Sequence, residues 1–192
     1  MSNDKAKVGF LGRSRIYIGR FTYGYENLEV RQWNEGASLQ IGSFCSLANN
    51  ITIFLGGNHR VDWITTFPFG HIFQDELGLS AVEGHPATNG DVIVGNDVWI
   101  GAGSTIMSGV KIGDGAVLAA NSCITKNVMP YHIAGGNPAR SIKPRFESDI
   151  IEILLSLKWW DFEIEIIKDI SRLLCQQPSK HQLLSLLHTY RG

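Results

Sequence analysis

From Val94 onward the chain places a branched aliphatic residue at every sixth position: Val94, Ile100, Ile106, Ile112, Leu118 and Ile124. Four positions after each stands a small or compact residue, in turn Val98, Ser104, Val110, Ala116, Ser122 and Val128. Self-similarity at a fixed short period is the mark of a stacked architecture. A period of six is too short for a helical-hairpin repeat and too regular for a sandwich, but it suits a prism with one short strand on each of three faces. Each aliphatic residue then points at the prism axis, and each compact residue fits where the chain turns a corner. Eighteen residues make one coil, and stacked coils bury a continuous aliphatic column that no coil could bury alone. Residues 94–129 supply two such coils. Ile41, Leu47 and Ile53, with Cys45 and Ile51 at the compact positions, repeat the register in an earlier block, and Ile18-Gly19 reads as a third, degenerate one. Gly42, Gly95, Gly101 and Gly113 each follow an aliphatic position, where a tight corner leaves no room for a side chain.

The period breaks between residues 56 and 92, a connection far longer than the usual ~4 to 6 residues. Trp63, Phe67, Phe69 and Phe73 are too many aromatics for a disordered linker, so an ordered excursion is expected, packed on a neighbouring subunit. After Gly136 the glycines thin out, and from about Phe146 the chain turns rich in Leu, Ile, Glu and Lys. Ile150, Ile153, Leu154 and Leu157 predict a helix over Asp149–Trp159. Asp161 is expected to cap a second helix carrying Ile164, Ile167, Ile170, Leu173 and Leu174, and Ser179 with Gln182 reads as a capping box opening a third with Leu183, Leu186 and Leu187. These apolar stripes are expected to pack on the open end or the side of the prism and to block end-to-end addition of strands. The organisation expected is therefore mainly β, with a β-helix over residues 1–145, its loop at 56–92, and a helical extension over 146–192.

Composition narrows the function classes. Lys+Arg 17 against Asp+Glu 18 gives a formal net charge of -1, and only 18% of residues are charged. No field of one sign is available to gather phosphate backbone or anionic lipid, so neither nucleic acid nor membrane is expected as a partner. No unbroken apolar stretch reaches the ~20 residues of a membrane span, and Met1 to Lys7 lacks the apolar core of a signal peptide; the expected location is the cytoplasm. Cys45, Cys123 and Cys175 show neither metal spacing nor a disulfide framework. Cys45 and Cys123 are taken as inward-facing repeat positions and poor nucleophiles.

The candidate chemistry sits where the solenoid is interrupted, in Gly56-Gly57-Asn58-His59-Arg60-Val61-Asp62-Trp63 followed by Thr65-Thr66-Phe67-Pro68-Phe69. A free imidazole titrates near ~6.5, so His59 suits a general base that takes a proton from an alcohol or amine and later returns it to a leaving group, with a capping or hydrogen-bonding loop residue as the alternative. Asp62 is a candidate to orient it, with a salt bridge to Arg60 or a turn-forming role as the alternatives. His71, His85 and His132 raise the question of a metal, but no His-x-x-x-x-His spacing that would set ligands on adjacent coils occurs, and no metal is expected.

The Asn58-His59-Arg60 cluster with Asp62-Trp63, Thr66, Pro68 and Phe69 resembles the signature of the xenobiotic acetyltransferase branch of the hexapeptide-repeat acyltransferases, which includes streptogramin and hexapeptide-type chloramphenicol acetyltransferases. The resemblance runs from about Ile16 to Trp160. Its other marks are Ile41 to Ser46, Gly95-Asn96-Asp97-Val98-Trp99-Ile100-Gly101, Ala134 to Arg140 and Lys158-Trp159-Trp160. Departures are confined mainly to the far ends and to the loop between Gly70 and Gly90, which shapes the acceptor pocket in the family. The resemblance implies a left-handed parallel β-helix, a homotrimer, acetyl-CoA as cosubstrate in a groove between subunits, and His59 as catalytic base. It further implies donor contacts at Ala102, Ala120, Thr125 and Lys126, and a cation near the nucleotide phosphates at Lys143. Gly101 is expected beside Ala102 as a corner whose backbone an extended amide chain can reach, and Lys126, Arg140, Lys143 and Arg145 are candidates to neutralise the phosphates, with a solvated face as their alternative. Gly101 N–H is the expected oxyanion donor and Trp99 a candidate wall of the thioester site, with packing at a coil corner as its alternative. Direct transfer through a ternary complex is expected. The acceptor expected first is a carbohydrate hydroxyl, because sugar acetylation is the commoner role among the wider relatives. The alternatives are an antibiotic O-acetyltransferase, an amino-sugar N-acyltransferase and a trimeric scaffold that has lost catalysis.

Overall fold

A computed structural model describes residues 3–80 and 82–192, so Met1, Ser2 and Ala81 lie outside the described residues. A hairpin opens the fold, β1 (Lys7–Leu11) running antiparallel to β2 (Ser14–Ile18). Short strands follow: β3 (Leu28–Arg31), β4 (Leu39–Ile41), β5 (Ser46–Leu47), β6 (Ile51–Phe54), then beyond the excursion β7 (Val92–Val94), β8 (Trp99–Ile100), β9 (Thr105–Ile106), β10 (Lys111–Ile112), β11 (Val117–Leu118) and β12 (Cys123–Ile124). A second hairpin, β13 (His132–Gly136) with β14 (Ala139–Pro144), ends the strands. They form three sheets, ordered β1-β2-β4-β7-β10, β14-β13-β11-β8-β5 and β12-β9-β6-β3. Apart from the two hairpins every strand-to-strand pairing among the described residues is parallel, and from β4 to β12 consecutive strands fall on successive sheets. The molecule is therefore a three-faced prism wound from parallel coils.

The register reproduces the six-residue spacing. Ile112 lies opposite Val94, Val117 opposite Trp99 and Cys123 opposite Thr105, each eighteen positions on. Val94, Ile100, Ile106, Ile112, Leu118 and Ile124 are all buried, as are Val98, Ser104, Val110, Ala116, Ser122 and Val128. Serine is tolerated inside because its hydroxyl closes the corner: Ser104 Oγ donates to Gly101 O (2.8 Å) and Ser122 Oγ to Ala119 O (2.6 Å). The degenerate block is a full first coil, with Ile18 opposite Ile41, a bridge from Tyr23 to Ser46, and Leu28 opposite Ile51. These partners are twenty-three positions apart on all three faces, so the surplus of five residues sits between β3 and β4. Cys123 departs from the expectation. Ser122 holds the inward position, while Cys123 is only half-buried, on the outer side of β12.

The helices are α1 (Gln74–Leu77) in the excursion and α2 (Ser148–Leu157), α3 (Ile164–Leu174) and α4 (Lys180–Arg191) at the end. Helix α2 stops before Trp159 because Lys158 turns left-handed at φ 43°. Asp161 is not the cap of α3. It lies in a 3-10 turn, Trp159–Asp161, and Glu163 takes the N-cap position. Ser179 is at the N-cap of α4, but no side-chain capping bond forms there, so the box with Gln182 is not made. The extension packs along the side of the prism, on the corner joining the first and second sheets. Phe44 of that corner meets Trp159 at 4.9 Å between ring centroids, Tyr131 lies in the same cluster as Leu157 and Trp160, and Arg20 donates to Trp160 O (2.8 Å) and to Phe162 O. The ends are closed differently from the expectation. β1 covers the outer edge of β2, and β14 covers β13, so the antiparallel hairpins rather than the helices occupy those two sheet edges. No helix among the described residues is long and apolar enough to cross a membrane.

Candidate active site

The excursion leaves the prism at the corner after β6, where Leu55 and Gly56 are still buried. Its two ends are sewn together by an antiparallel bridge between Asn58 and Ala87, with N···O distances of 2.9 Å in both directions. Asn58 Nδ2 also donates to Ser108 Oγ on the next coil (3.0 Å), and Thr88 Oγ1 donates to Leu55 O (2.5 Å). The stem is thus anchored by backbone and side-chain bonds, which fixes where His59 stands even though that residue is exposed in the single chain.

His59 Nδ1 lies 2.7 Å from Thr66 O. A carbonyl can only accept, so this contact requires the proton on Nδ1 and leaves the Nε2 lone pair free. Asp62 does not touch the imidazole. Both its oxygens are held by Arg60, through Nε at 2.7 Å and through Nη2, and that hydrogen bonding holds its carboxyl below the usual range. Of the three roles open to Asp62 in the sequence, the structure selects the salt bridge; the partner that orients His59 is the backbone of Thr66.

His59 opens onto a cleft of about 500 Å³ lined by Trp33, Gln32, Asn34, His71, Ile72 and His85 among others. His85 stands edge-on to His59 with ring centroids 4.8 Å apart, and His71 lies 5.1 Å from His85. Burial, with the neighbouring His59 and His71, pushes the His85 pKa down, and both its ring nitrogens are buried with no hydrogen-bond partner among the described residues. No group of three or more His, Cys, Asp or Glu among the described residues is arranged to hold a metal. Trp33 comes from the five-residue surplus between β3 and β4, stacked on Phe54 at 6.3 Å and 7°. The sequence reading missed this wall, although the broken spacing between Leu28 and Leu39 was a signal that chain had been inserted there.

The residues expected to hold the donor fare differently. Ala102 and Ala120 share one corner on successive coils, Asn121 N donating to Ala102 O (2.8 Å), and both are exposed. Thr125 and Lys126, also exposed, lie at the following corner across β12, the column from which the His59 stem leaves two coils earlier. Lys126 and Arg140 line a cleft of about 150 Å³, and Lys143 is exposed on β14. Gly101 does not fit its expected role. Its N–H donates to Leu118 O at 2.8 Å in the ladder between coils, so it is not free for an oxyanion. Its missing side chain serves the stacking instead, because a Cβ there would lie 2.6 Å from Ala120 N. Arg145 is also withdrawn from the phosphate candidates: it donates to Gly115 O (2.6 Å), pairs with Asp97 (3.7 Å) and covers the rings of Tyr131 and Phe146. Trp99 is 57% exposed on the outer face of β8, which removes packing at a coil corner as its role within one chain. Cys45 is fully buried, and burial pushes its thiol up to about 12, the opposite of what a nucleophile needs.

The comparisons with known proteins bear on this arrangement. The bacterial transferase hexapeptide family (six repeats) matches residues 91–126. A chloramphenicol acetyltransferase of Morganella morganii is 44% identical over 173 residues, 83% of this chain and 82% of the relative. A virginiamycin A acetyltransferase of Staphylococcus aureus is 47% identical over 166 residues, 80% of this chain and 74% of the relative. Among solved structures, a hexapeptide-repeat-containing acetyltransferase from Vibrio cholerae O1 biovar eltor, complexed with acetyl coenzyme A, shares the fold with a TM-score of 0.50 at 24% identity, covering 69% of this chain and 61% of that one. With repeat, register and relatives in agreement, the chain belongs to the hexapeptide-repeat acyltransferases, in the xenobiotic acetyltransferase branch, and is an acetyltransferase.

Proposed function

We propose that the protein is an acetyl-CoA-dependent O-acetyltransferase in which His59 is the general base. The observation that carries this reading is the 2.7 Å contact of His59 Nδ1 with Thr66 O, since a fixed Nδ1–H tautomer presents Nε2 as a base toward the cleft. Nε2 takes the proton of the acceptor hydroxyl as its oxygen attacks the acetyl carbonyl. When the tetrahedral intermediate collapses, the C–S bond breaks and the imidazolium returns the proton to the coenzyme A thiolate. The acetyl group passes directly between the two substrates. The pantetheine arm runs over the Ala102–Ala120 corner, where methyl side chains leave the backbone open to an extended amide chain, and Thr125, Lys126 and Lys143 complete the donor side with Arg140.

The acceptor is a neutral, hydroxyl-bearing small molecule. Among the described residues no Lys or Arg lines the cleft beside His59, which argues against a nucleotide-sugar phosphate. An antibiotic hydroxyl is the first reading, supported by the 44% and 47% identical relatives named for chloramphenicol and virginiamycin. The carbohydrate hydroxyl expected from the sequence is the second reading, favoured by the Trp33 ring with Gln32 and Asn34 beside it, a flat apolar face flanked by amides. We also take the coils as left-handed, the active assembly as a cytoplasmic homotrimer with the cleft completed between subunits, and residues 146–192 as an extension of a β-helix domain. The exposed Ile64, Phe67, Phe69 and Phe73 of the excursion support a partner copy. Incubation with acetyl-CoA and a panel holding chloramphenicol, virginiamycin and neutral sugars, followed by mass spectrometry of the acceptors, tests the assignment. An acetylated antibiotic with unmodified sugars establishes the first reading, the converse the second, and acetylation of an amine in place of a hydroxyl refutes both.

A further inference from the structure

The five-residue surplus between β3 and β4 does more than carry Trp33. Glu35, half-buried, uses both carboxylate oxygens on backbone donors: Oε2 accepts from Trp33 N (2.8 Å) and Oε1 from Gly57 N (2.5 Å). Gly57 is the second residue before His59, at the root of the stem, with φ 76°. The Trp33 indole lies so close over it that a Cβ at position 57 would sit 2.4 Å from the ring, and one at Gly56 would sit 2.3 Å from Glu35 Oε1. A single carboxylate thus joins two segments from different coils, one bearing the candidate base and the other an aromatic wall of the same cleft. Charge-assisted bonds from a carboxylate to N–H groups are about twice as strong as neutral ones. The geometry of an acyl transfer is unforgiving, since a displacement of about 1 Å caused by a remote mutation costs up to about 10²-fold in rate.

We propose that Glu35 is a positioning residue for acetyl transfer, its carboxylate tying the root of the His59 stem at Gly57 to the Trp33 wall and so setting the reach of the base into the acceptor cleft. The inference deepens the acetyl-transfer reading given above and rests on it. Glu35 touches no substrate; it acts through Gly57 and Trp33.

The test uses full-length Glu35→Ala and Glu35→Gln with acetyl-CoA and chloramphenicol, or the acceptor that the panel returns, together with amide hydrogen exchange. Glu35→Ala is expected to lower kcat/KM for the acceptor by about 10- to 10²-fold while KM for acetyl-CoA stays within about twofold, and to speed exchange at the Gly57 and Trp33 amides. Glu35→Gln keeps one carbonyl oxygen able to accept one of the two bonds, and is expected to recover part of the loss. Faster exchange with unchanged acceptor kinetics overturns the proposal, because the carboxylate then only secures a turn. Unchanged exchange at both amides overturns it as well, because the clamp is then not made in solution. A purely structural weakening would raise both KM values together, which also counts against it. Should Glu35→Ala fail to fold, Glu35→Gln is judged by the same readouts. His59→Ala run in parallel separates the two claims: full turnover there sinks the base assignment, while the exchange at Gly57 still reports on the clamp.

Discussion

Replacing His59 by alanine removes one group from the proposed chemistry and very little from the fold. The side chain is exposed, and its hydrogen bond to the Thr66 carbonyl is the contact it makes with the backbone. A net hydrogen bond contributes about 0.5 to 1.5 kcal/mol, and water can replace the imidazole at Thr66 O, so the lower figure applies. For a chain of this size about 1 kcal/mol moves the melting temperature by roughly 2 to 4 °C, which sets the expected shift below about 2 °C. The catalytic loss is expected to be far larger. A positioned base contributes about 10² to 10⁴ in rate, equivalent to about 3 to 5 kcal/mol in the barrier. Steady-state turnover should be followed through loss of the thioester absorbance rather than by a thiol reagent, because Cys175 is exposed and would add its own signal. The expected pattern is a fall in kcat with unchanged acetyl-CoA affinity, since the imidazole belongs to the chemical step. Near-normal turnover on a verified acceptor would falsify the assignment. A melting point lowered by ten degrees would instead mean that the stem, and not the base, had been disturbed.

Three further outcomes are expected. Ala120→Phe, exposed at the corner it shares with Ala102, should abolish coenzyme A binding by isothermal titration with a melting temperature nearly unchanged, because surface substitutions shift stability by about 0.5 kcal/mol; normal binding would move the donor groove elsewhere. Asp97 is lifted to about 6 by burial, against the opposing pull of Arg145, so the folded state binds the extra proton between about pH 4 and 6 and loses stability as pH rises through that window. Asp97→Asn should therefore gain melting temperature over the parent progressively from pH 4 to 6.5, the left-handed backbone at φ 55° suiting Asn as well as Asp; a pH-independent difference would contradict the linkage. Sedimentation equilibrium at micromolar concentration should give the mass of three chains, and a monomer with or without coenzyme A would remove the shared cleft.

What the sequence determined by itself is the prism. Each residue in a coil meets its counterpart eighteen positions on, so the packing of the axis is written into a local period, and both the aliphatic and the compact series are buried as the spacing requires. The Asn58-His59-Arg60 cluster was legible for a related reason, because it interrupts that period. The tertiary structure decided everything that depends on chain leaving the period or meeting itself at long range. It gave the Gly101 N–H to Leu118 O, since a ladder bond between coils is invisible along one coil. It bound Asp62 to Arg60 and Arg145 to the Asp97 corner, choices among neighbouring charges that spacing leaves open. It closed two sheet edges with β1 and β14, where the alternation of a lone strand does not say what it pairs with. And it brought Trp33 and Glu35 from the first turn of the prism against Gly57, because their place depends on how two insertions of unequal length fold over one corner, and no periodicity encodes that.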